Sequence, residues 1–397
     1  MGMSEVDLWP QWFWLPPGVS WEDLEQLGAD QPRPRDLLLA LPLALAFITL
    51  RCAYERVVAP PLARYLGVRN RPPPPPSPTL EIFYTQHSSQ PSQSDIITLM
   101  SQCDKTQRQV DTWFRHRRNQ DRPSPVRKCG EASWRFLFYI SAFLSGLAVL
   151  IDRPWFWDQR ECWKGYPLQH LERAHYWYYQ LELGFYLSLL LRVSVDVKRK
   201  DFKEQVLHHL ATSFLLGFSY VSNYIRVGTL VLLLHDASDV VLEFAKMLHY
   251  GTGWRRVCDG LFIIFAVTFI LTRLLVFPLW IIHTTLVVSM QQFQPFAGYY
   301  FFNALLLVLL GLNMFWAALI LRMAHRLLLQ GELDKDERSD EESEEERDDN
   351  RDEDEEGRWD RRTGALNSKL AQLTNSCVLN NIANHRASAA CTMRKTR

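Results

Sequence analysis

The 397-residue sequence contains no Asn-x-Ser/Thr sequon and no Cys-x-x-Cys pair. Its seven cysteines are scattered, at positions 52, 103, 129, 162, 258, 377 and 391. An odd, unpaired set excludes a small disulfide-stapled secreted fold, and the missing sequon removes any argument for N-glycosylation. The first 30 residues have no basic n-region, so no cleavable signal peptide is expected. The absence of a repeat, together with 13% aromatic residues, excludes collagen, coiled-coil and wholly disordered chains. Net charge is absent too, because 44 basic and 44 acidic side chains cancel. That balance hides a segregation. Residues 332–356 hold 17 of the 44 carboxylates, so the rest of the chain is basic and more apolar than its mean hydropathy of −0.15 implies.

What the sequence does have is long apolar runs. A bilayer core needs roughly 20 mostly apolar residues per helix. Candidate spans lie near 36–57, 134–151, 177–196, 204–224, 227–247, 258–283 and 297–322, which predicts an all-α integral membrane protein of about seven transmembrane helices. In the first span Arg51 follows the clean run Leu37–Leu50 and is expected to snorkel to an interface. The fifth holds His235, Asp236, Asp239 and Glu243, yet the apolar residues around them argue for burial.

Orientation follows from Lys and Arg in the connecting segments. Stretch 285–297 has none, 197–203 has four and 58–133 has eleven. The alternation predicts an N-terminus outside and a C-terminus in the cytosol, although the four basic residues of 152–175 weaken it. The expected divisions are a lumenal segment 1–35, a first span 36–57, a cytosolic linker and helical module 71–130, a membrane domain 131–330 and a tail 331–397. RPPPPPSP at 71–78 reads as a stiff linker, and 92–121 as two short helices. The acidic run at 332–356 cannot bury a core and is expected to be disordered. Within it, Ser339 and Ser343 are each followed three residues on by Glu, the pattern an acidophilic kinase of the casein-kinase-2 type takes.

Ionisable side chains inside membrane spans are costly and therefore mark candidate functional sites. They concentrate in the fourth and fifth spans. Glu204, His208, Thr212, Ser219 and Asn223 form one stripe, with His209, Ser213 and Tyr220 on the neighbouring stripe about 100° away. Asp236, Asp239, Glu243 and Lys246 share one face of the next helix. The short connection makes the two helices antiparallel neighbours, so the imidazoles and carboxylates are expected to meet. Such a pairing suits acyl or proton transfer, with metal binding, proton-coupled transport and a structural ion network as alternatives. Separately, Trp113–Gln120 (WFRHRRNQ) resembles a homeodomain recognition helix, but His116 stands where that helix carries its base-reading Asn. A basic cytosolic module near phosphates is the preferred reading, with no specific DNA binding.

DVKRKDFKEQVLHHLAT at 196–212 and FSYVSNYIRVGTLVLLLHDASDVVLEFAKMLHY at 218–250 resemble the Lag-type motif of the ceramide synthases. WFWLPPGVSWEDLE, WFRHRRNQDRP, EASWRFLFY and GYYFFN also lie where that family has them, and the resemblance covers residues 9–346. A sequon often found in the family after LPP is replaced here by GVSW. The resemblance implies a TLC-type bundle in the endoplasmic reticulum membrane. It implies transfer of a fatty acyl group from acyl-CoA to a sphingoid base, with acyl-CoA as substrate and no cofactor or metal. It suggests His208, His209, Asp236 and Asp239 as catalytic, with His208 forming an acyl-imidazole or acting as general base and Asp239 supporting it. Lys198, Arg199, Lys200 and Lys203 are candidates for the CoA phosphates. Overall resemblance leans toward very-long-chain acyl groups. Homo- or hetero-dimers with other ceramide synthases are expected, with the kinase as a further partner. A non-catalytic lipid-binding or translocation protein of the same architecture, and a membrane-tethered DNA-binding regulator, are the alternatives.

Overall fold

The computed structural model describes residues 9–26, 28, 31–70, 73–197, 199–252 and 255–330. Lys198, Ser339, Ser343 and the acidic run at 332–356 therefore lie outside the described residues. Among the described residues every regular element is helical. In chain order they are α1 (Gln11–Trp14), α2 (Trp21–Glu25), α3 (Ala40–Val57), α4 (Ala59–Tyr65), α5 (Pro78–Gln86), α6 (Gln93–Cys103) and α7 (Gln107–Asp121). There follow α8 (Pro125–Leu150), α9 (Pro154–Trp157), α10 (Arg173–Arg192), α11 (Phe202–Val221), α12 (Ile225–His249), α13 (Arg255–Phe269) and α14 (Ala297–Gln330).

Long helices occupy each of the seven apolar segments. Four helical stretches, Pro34–Val57, Gln107–Leu150, Arg256–Gln291 and Ala297–Leu329, are long and apolar enough to cross a membrane. Apolar side chains also face outward. Leu207, Leu210 and Phe214 form an exposed stripe on α11, and Ile263 and Val267 on α13 do so with Leu271 just beyond it. Water would penalise such stripes, whereas lipid would not.

The helix boundaries have local causes. Ser92 and Thr106 close capping boxes with Asp95 and Gln109 at the starts of α6 and α7. Ser124 caps α8 and Pro125 sits at its first position, where no backbone donor is needed. Two residues past the end of α11, Asn223 has a φ of 55° that turns the chain into α12. Its amide donates to the carbonyls of Pro167 and Gln169 at 2.7 and 2.9 Å. Asn223 is thus a structural tie rather than the end of a reactive stripe. Beyond Phe269, α13 continues in wider π-type winding through Ile270–Ile282 and Thr284–Val288, with Pro278 inside. Proline lacks the N–H and crowds the preceding turn, which favours such widening. The helix therefore reaches further than 283, and the connection to α14 is shorter than the sequence reading of 285–297.

α12 is central. It packs along α8 and α13, and also meets α10 and α11. Gly228 lets this happen, because a Cβ there would collide with the Tyr179 hydroxyl, which bonds Ser219 Oγ at 3.0 Å. A second cluster of Trp134, Tyr139, Phe185, Leu189 and Leu216 joins α8, α10 and α11.

Before α8, the sequence predicts two short helices, and the structure adds a third, α5. It contributes Leu80 to a core with Ile96, Leu99, Val110, Trp113 and Phe114. The sequence reading passed over it because only nine residues form it and its apolar positions are few. Arg117, in the basic run, donates to Glu81 at 2.9 Å and lies over the Tyr84 ring at 4.7 Å. Burial, aided by the hydrogen bond to Asp121, pushes the Tyr84 phenol up to about 12.

Arg51 does not snorkel. Its side chain is 4% exposed and bonds Asp196 at 2.8 Å and Glu55 at 2.7 Å. Arg135 reaches Glu131 at 2.8 Å and Asp196 at 3.2 Å, and Arg192 reaches Glu55 at 3.5 Å. The result is a buried ion network joining α3, α8, α10 and the segment after α10. The Val197 N–H also donates to Glu131 at 3.3 Å, which anchors the basic 197–203 loop.

Candidate active site

His208 lies about two turns into α11. It opens on a cavity of about 30 Å³ walled by Tyr186, Thr212, Ser219 and His235 among Leu, Val and Phe side chains. Such a space holds a water molecule, and α11, α12 and α14 supply most of its wall.

The histidines have different environments. His235 uses both ring nitrogens: Nδ1 bonds the Val231 carbonyl at 2.8 Å, and Nε2 faces the Asn313 amide nitrogen at 3.3 Å. That network assigns the proton to Nδ1, leaving Nε2 as acceptor. His208 is different. Its Nδ1 is buried without a hydrogen-bond partner, as is that of His209, but only the His208 ring lines the cavity, and it packs perpendicular to Trp316 with centroids 5.4 Å apart. Trp316 is itself held, because its indole N–H donates to Asp201 at 3.0 Å. His209 turns instead toward Tyr186, at 6.2 Å between centroids, as the roughly 100° offset between adjacent helical residues requires.

The expected imidazole–carboxylate hydrogen bond is not formed. Asp239 accepts from Arg273 at 2.7 Å, and Arg273 also donates to the His235 carbonyl at 2.9 Å. Both oxygens of Asp236 are buried without a donor. Further down α12, Glu243 pairs with Lys246 at 2.7 Å. Of the carboxylates on the predicted α12 face, Asp239 is answered by a guanidinium from a third helix and Glu243 by Lys246, and neither by an imidazole. Of the basic loop residues, Lys200 and Lys203 are exposed and Arg199 is half-buried. The motif reading missed Arg273, Asn313 and Trp316. An arginine inside an otherwise apolar run was a legible signal for the first.

Comparison with known proteins adds the identity of the scaffold. A TLC domain profile matches residues 128–322. Human ceramide synthase 4 is 50% identical over 334 residues, covering 83% of this chain and 84% of the relative. Human ceramide synthase 3 is 45% identical, with 80% and 83% covered. Human ceramide synthase 5 is 43% identical, with 84% and 86% covered. The chain belongs to the ceramide synthase family. It is a multi-pass membrane protein with a TLC domain. The match begins at the start of α8 and ends within α14, so it contains both His and Asp pairs and also Arg273, Asn313 and Trp316.

Proposed function

We propose that this protein is an acyl-CoA:sphingoid base N-acyltransferase that makes ceramide or dihydroceramide, with His208 at the reacting centre. The observation that carries the assignment of the site is the buried, unbonded Nδ1 of His208 on an otherwise apolar cavity, in a chain of this family. An imidazole with a free nitrogen can take a proton or an acyl group, whereas His235 has neither nitrogen free. The reaction breaks the thioester C–S bond, forms an amide C–N bond, and gives the thiol of CoA the proton the nitrogen sheds. On the covalent route the acyl carbon first bonds a ring nitrogen of His208; on the general-base route the amine attacks the thioester directly. Asp239, held by Arg273, and Asp236 on the same face of α12 are assigned to the site with His208, and His209 completes the set. The test is incubation of the purified protein with a panel of acyl-CoAs and sphinganine, read by mass spectrometry. No ceramide from any of them overturns the assignment, and would favour lipid binding or translocation on the same scaffold.

Seven spans, with the N-terminus lumenal and the C-terminus cytosolic in the endoplasmic reticulum membrane, fit the helices and the basic loops. His208 then lies near the cytosolic mouth, and the loop with Lys198, Arg199, Lys200 and Lys203 faces the CoA phosphates. Phosphorylation of Ser339 and Ser343 in the cytosolic tail, and dimers with other ceramide synthases, belong to the same proposal.

Chain-length selection is assigned to the uncharged stretch Leu286–Ala297 before α14, with a lean to very long chains. Each further buried CH₂ adds about 0.8 kcal/mol until the chain meets a closed end. Exchanging this stretch with that of a relative using shorter chains is expected to move the product profile. An unchanged profile places the measuring device elsewhere.

The α5–α7 module is assigned no sequence-specific DNA binding. Arg117 is engaged with Glu81 and Tyr84, and phosphate contacts carry no sequence information. Full-length protein in micelles should bind duplex DNA only weakly, with affinity falling steeply as salt rises. A preferred site at physiological salt would overturn this.

A further inference from the structure

The reaction outlined above leaves a larger cavity unused. It measures about 280 Å³ and lies where the 152–175 loop meets the starts of α10 and α12. Its wall includes Trp155, Lys164, Glu172, His175, Asn223 and Arg226. Asn223 follows His208 by about four helical turns, which puts the cavity on the order of 20 Å from the candidate active site. Unlike the water-sized space at His208, it has room for a small polar group.

Two polar side chains on this wall lack a hydrogen-bond partner among the described residues. His175 is 3% exposed; its Nε2 makes no hydrogen bond, and its Nδ1 stops 3.8 Å from the Glu172 carboxylate. The indole N–H of Trp155 is likewise buried without an acceptor. Buried donors are nearly always satisfied, so this pair marks a place where a bound group supplies acceptor atoms. Charge decides which kind. Arg226 lies over the Trp155 ring at 4.5 Å and donates through Nη1 to the Glu161 and Lys164 carbonyls at 2.7 and 3.3 Å, which leaves Nε and Nη2 for a ligand. Lys164 is exposed, with a loose pair to Glu161 at 3.2 Å. Glu172 is the one carboxylate on the wall, and Arg153 takes it. At the N-cap of α10, Glu172 makes no side-chain cap, so the first N–H groups of that 20-residue helix are left without it. The sequence carries a related anomaly: segment 152–175 keeps four basic residues on the side where the positive-inside pattern calls for few. An anion bound among them accounts for their place.

We propose that this cavity is an anion site for a phosphate group, carried by a phospholipid headgroup or by free phosphate. Arg226 and Lys164 supply the charge, and the N–H groups of Trp155 and His175 fix the oxygens. A cation fits poorly, because the only carboxylate on the wall is already paired. A phosphate suits donors that come from three elements at once, the loop, α10 and α12, because its oxygens point in several directions. Leu168, on the same wall, is exposed and offers the acyl chains of a phospholipid an apolar edge. An occupied site clamps the loop, α10 and α12 together at the end remote from His208. Nothing in it depends on acyl transfer.

The test uses the full-length protein, stripped of lipid in a phosphate-free detergent and buffer. The probes are inorganic phosphate, dihexanoylphosphatidylglycerol and dihexanoylglycerol, which has the same chains without the phosphate. A phosphate-bearing probe is expected to raise the unfolding temperature saturably and to broaden its own phosphorus NMR line, and dihexanoylglycerol is expected to do neither. In the double variant Trp155→Phe/Lys164→Gln the apparent Kd should weaken by about tenfold or more, since a buried donor and a charge are lost. That variant keeps a ring beneath Arg226 and changes one exposed side chain, so it should fold. Arg226→Gln should weaken binding further. A response to the phospholipid alone assigns the site to a headgroup, and a response to inorganic phosphate assigns it to the free ion; either supports the proposal. No response to either, an equal response to dihexanoylglycerol, or an unchanged Kd in the double variant overturns it and leaves a cavity that holds only water. Ceramide formation is not measured, so the result stands apart from the N-acyltransferase reading.

Discussion

His208→Ala is expected to lower ceramide formation by about 10²–10⁴-fold, the range a positioned acid–base group supplies. If His208 is the acyl carrier, the loss should lie at the upper end. The expected cause is local. The mutation removes an imidazole whose Nδ1 has no partner, and shortens a side chain facing Trp316 and a small cavity. It breaks no hydrogen bond that holds helices together, so the protein should still insert and its unfolding temperature should stay close to the parent's. His209→Ala, Asp236→Ala and Asp239→Ala should also be strongly impaired. Asp239→Ala should lose stability too, because it leaves the 5%-exposed Arg273 side chain without its carboxylate. Intact-protein mass spectra of the parent given acyl-CoA alone separate the two routes. An added acyl mass, absent from His208→Ala, identifies the covalent route, and no adduct at any time point identifies the general-base route. Near-normal turnover in all four variants would overturn the site altogether.

The same residues show how far sequence reasoning reaches. Apolar runs located the long helices, because burial in lipid or protein leaves a length signature that ions interrupt only locally. Helical spacing placed His208, Thr212 and Ser219 on one face, and these three line the cavity together. Spacing within a helix says nothing about which neighbour arrives opposite it. Asp239 was expected to meet an imidazole and instead meets Arg273, which lies 34 residues further along the chain. The α5 helix was missed because its core contribution rests chiefly on Leu80, with Phe83 and Tyr84 at its edge. Arg51 was placed at an interface because its partners lie 4, 80 and 145 residues away and no local rule joins them.

That last misreading leads to the largest expected change in stability. Arg51→Ala should destabilise the protein by about 3–5 kcal/mol, the cost of leaving buried charges without their partner. Arg51 donates to both oxygens of Asp196, at 2.8 and 2.9 Å, and to Glu55 at 2.7 Å, with Glu131 at 3.9 Å. The Asp196 and Glu131 side chains are only 8% and 7% exposed, so water cannot replace what is removed. Arg135 and Arg192 remain nearby and keep part of the field, which places the effect toward the lower end. The ion network itself is not expected to be the source of net stability, since desolvating its members offsets much of their attraction. A variant that neutralises both sides, Arg51→Met with Glu55→Gln and Asp196→Asn, should therefore recover much of the loss. Thermal unfolding of detergent-solubilised protein distinguishes the cases. Arg51→Ala unfolding at the parent temperature would show that Arg51 is not an obligate partner of the carboxylates. Activity adds a second readout. The chain leading into the 197–203 loop is held by Arg127, which donates to the Val195 carbonyl, and by Glu131, which accepts from the Val197 N–H and lies 3.9 Å from Arg51. If that loop holds the CoA phosphates as proposed, Arg51→Ala below its unfolding temperature should raise KM for acyl-CoA more than it lowers kcat, because Asp196 and Glu131 beside the loop lose a partner while His208 keeps its surroundings.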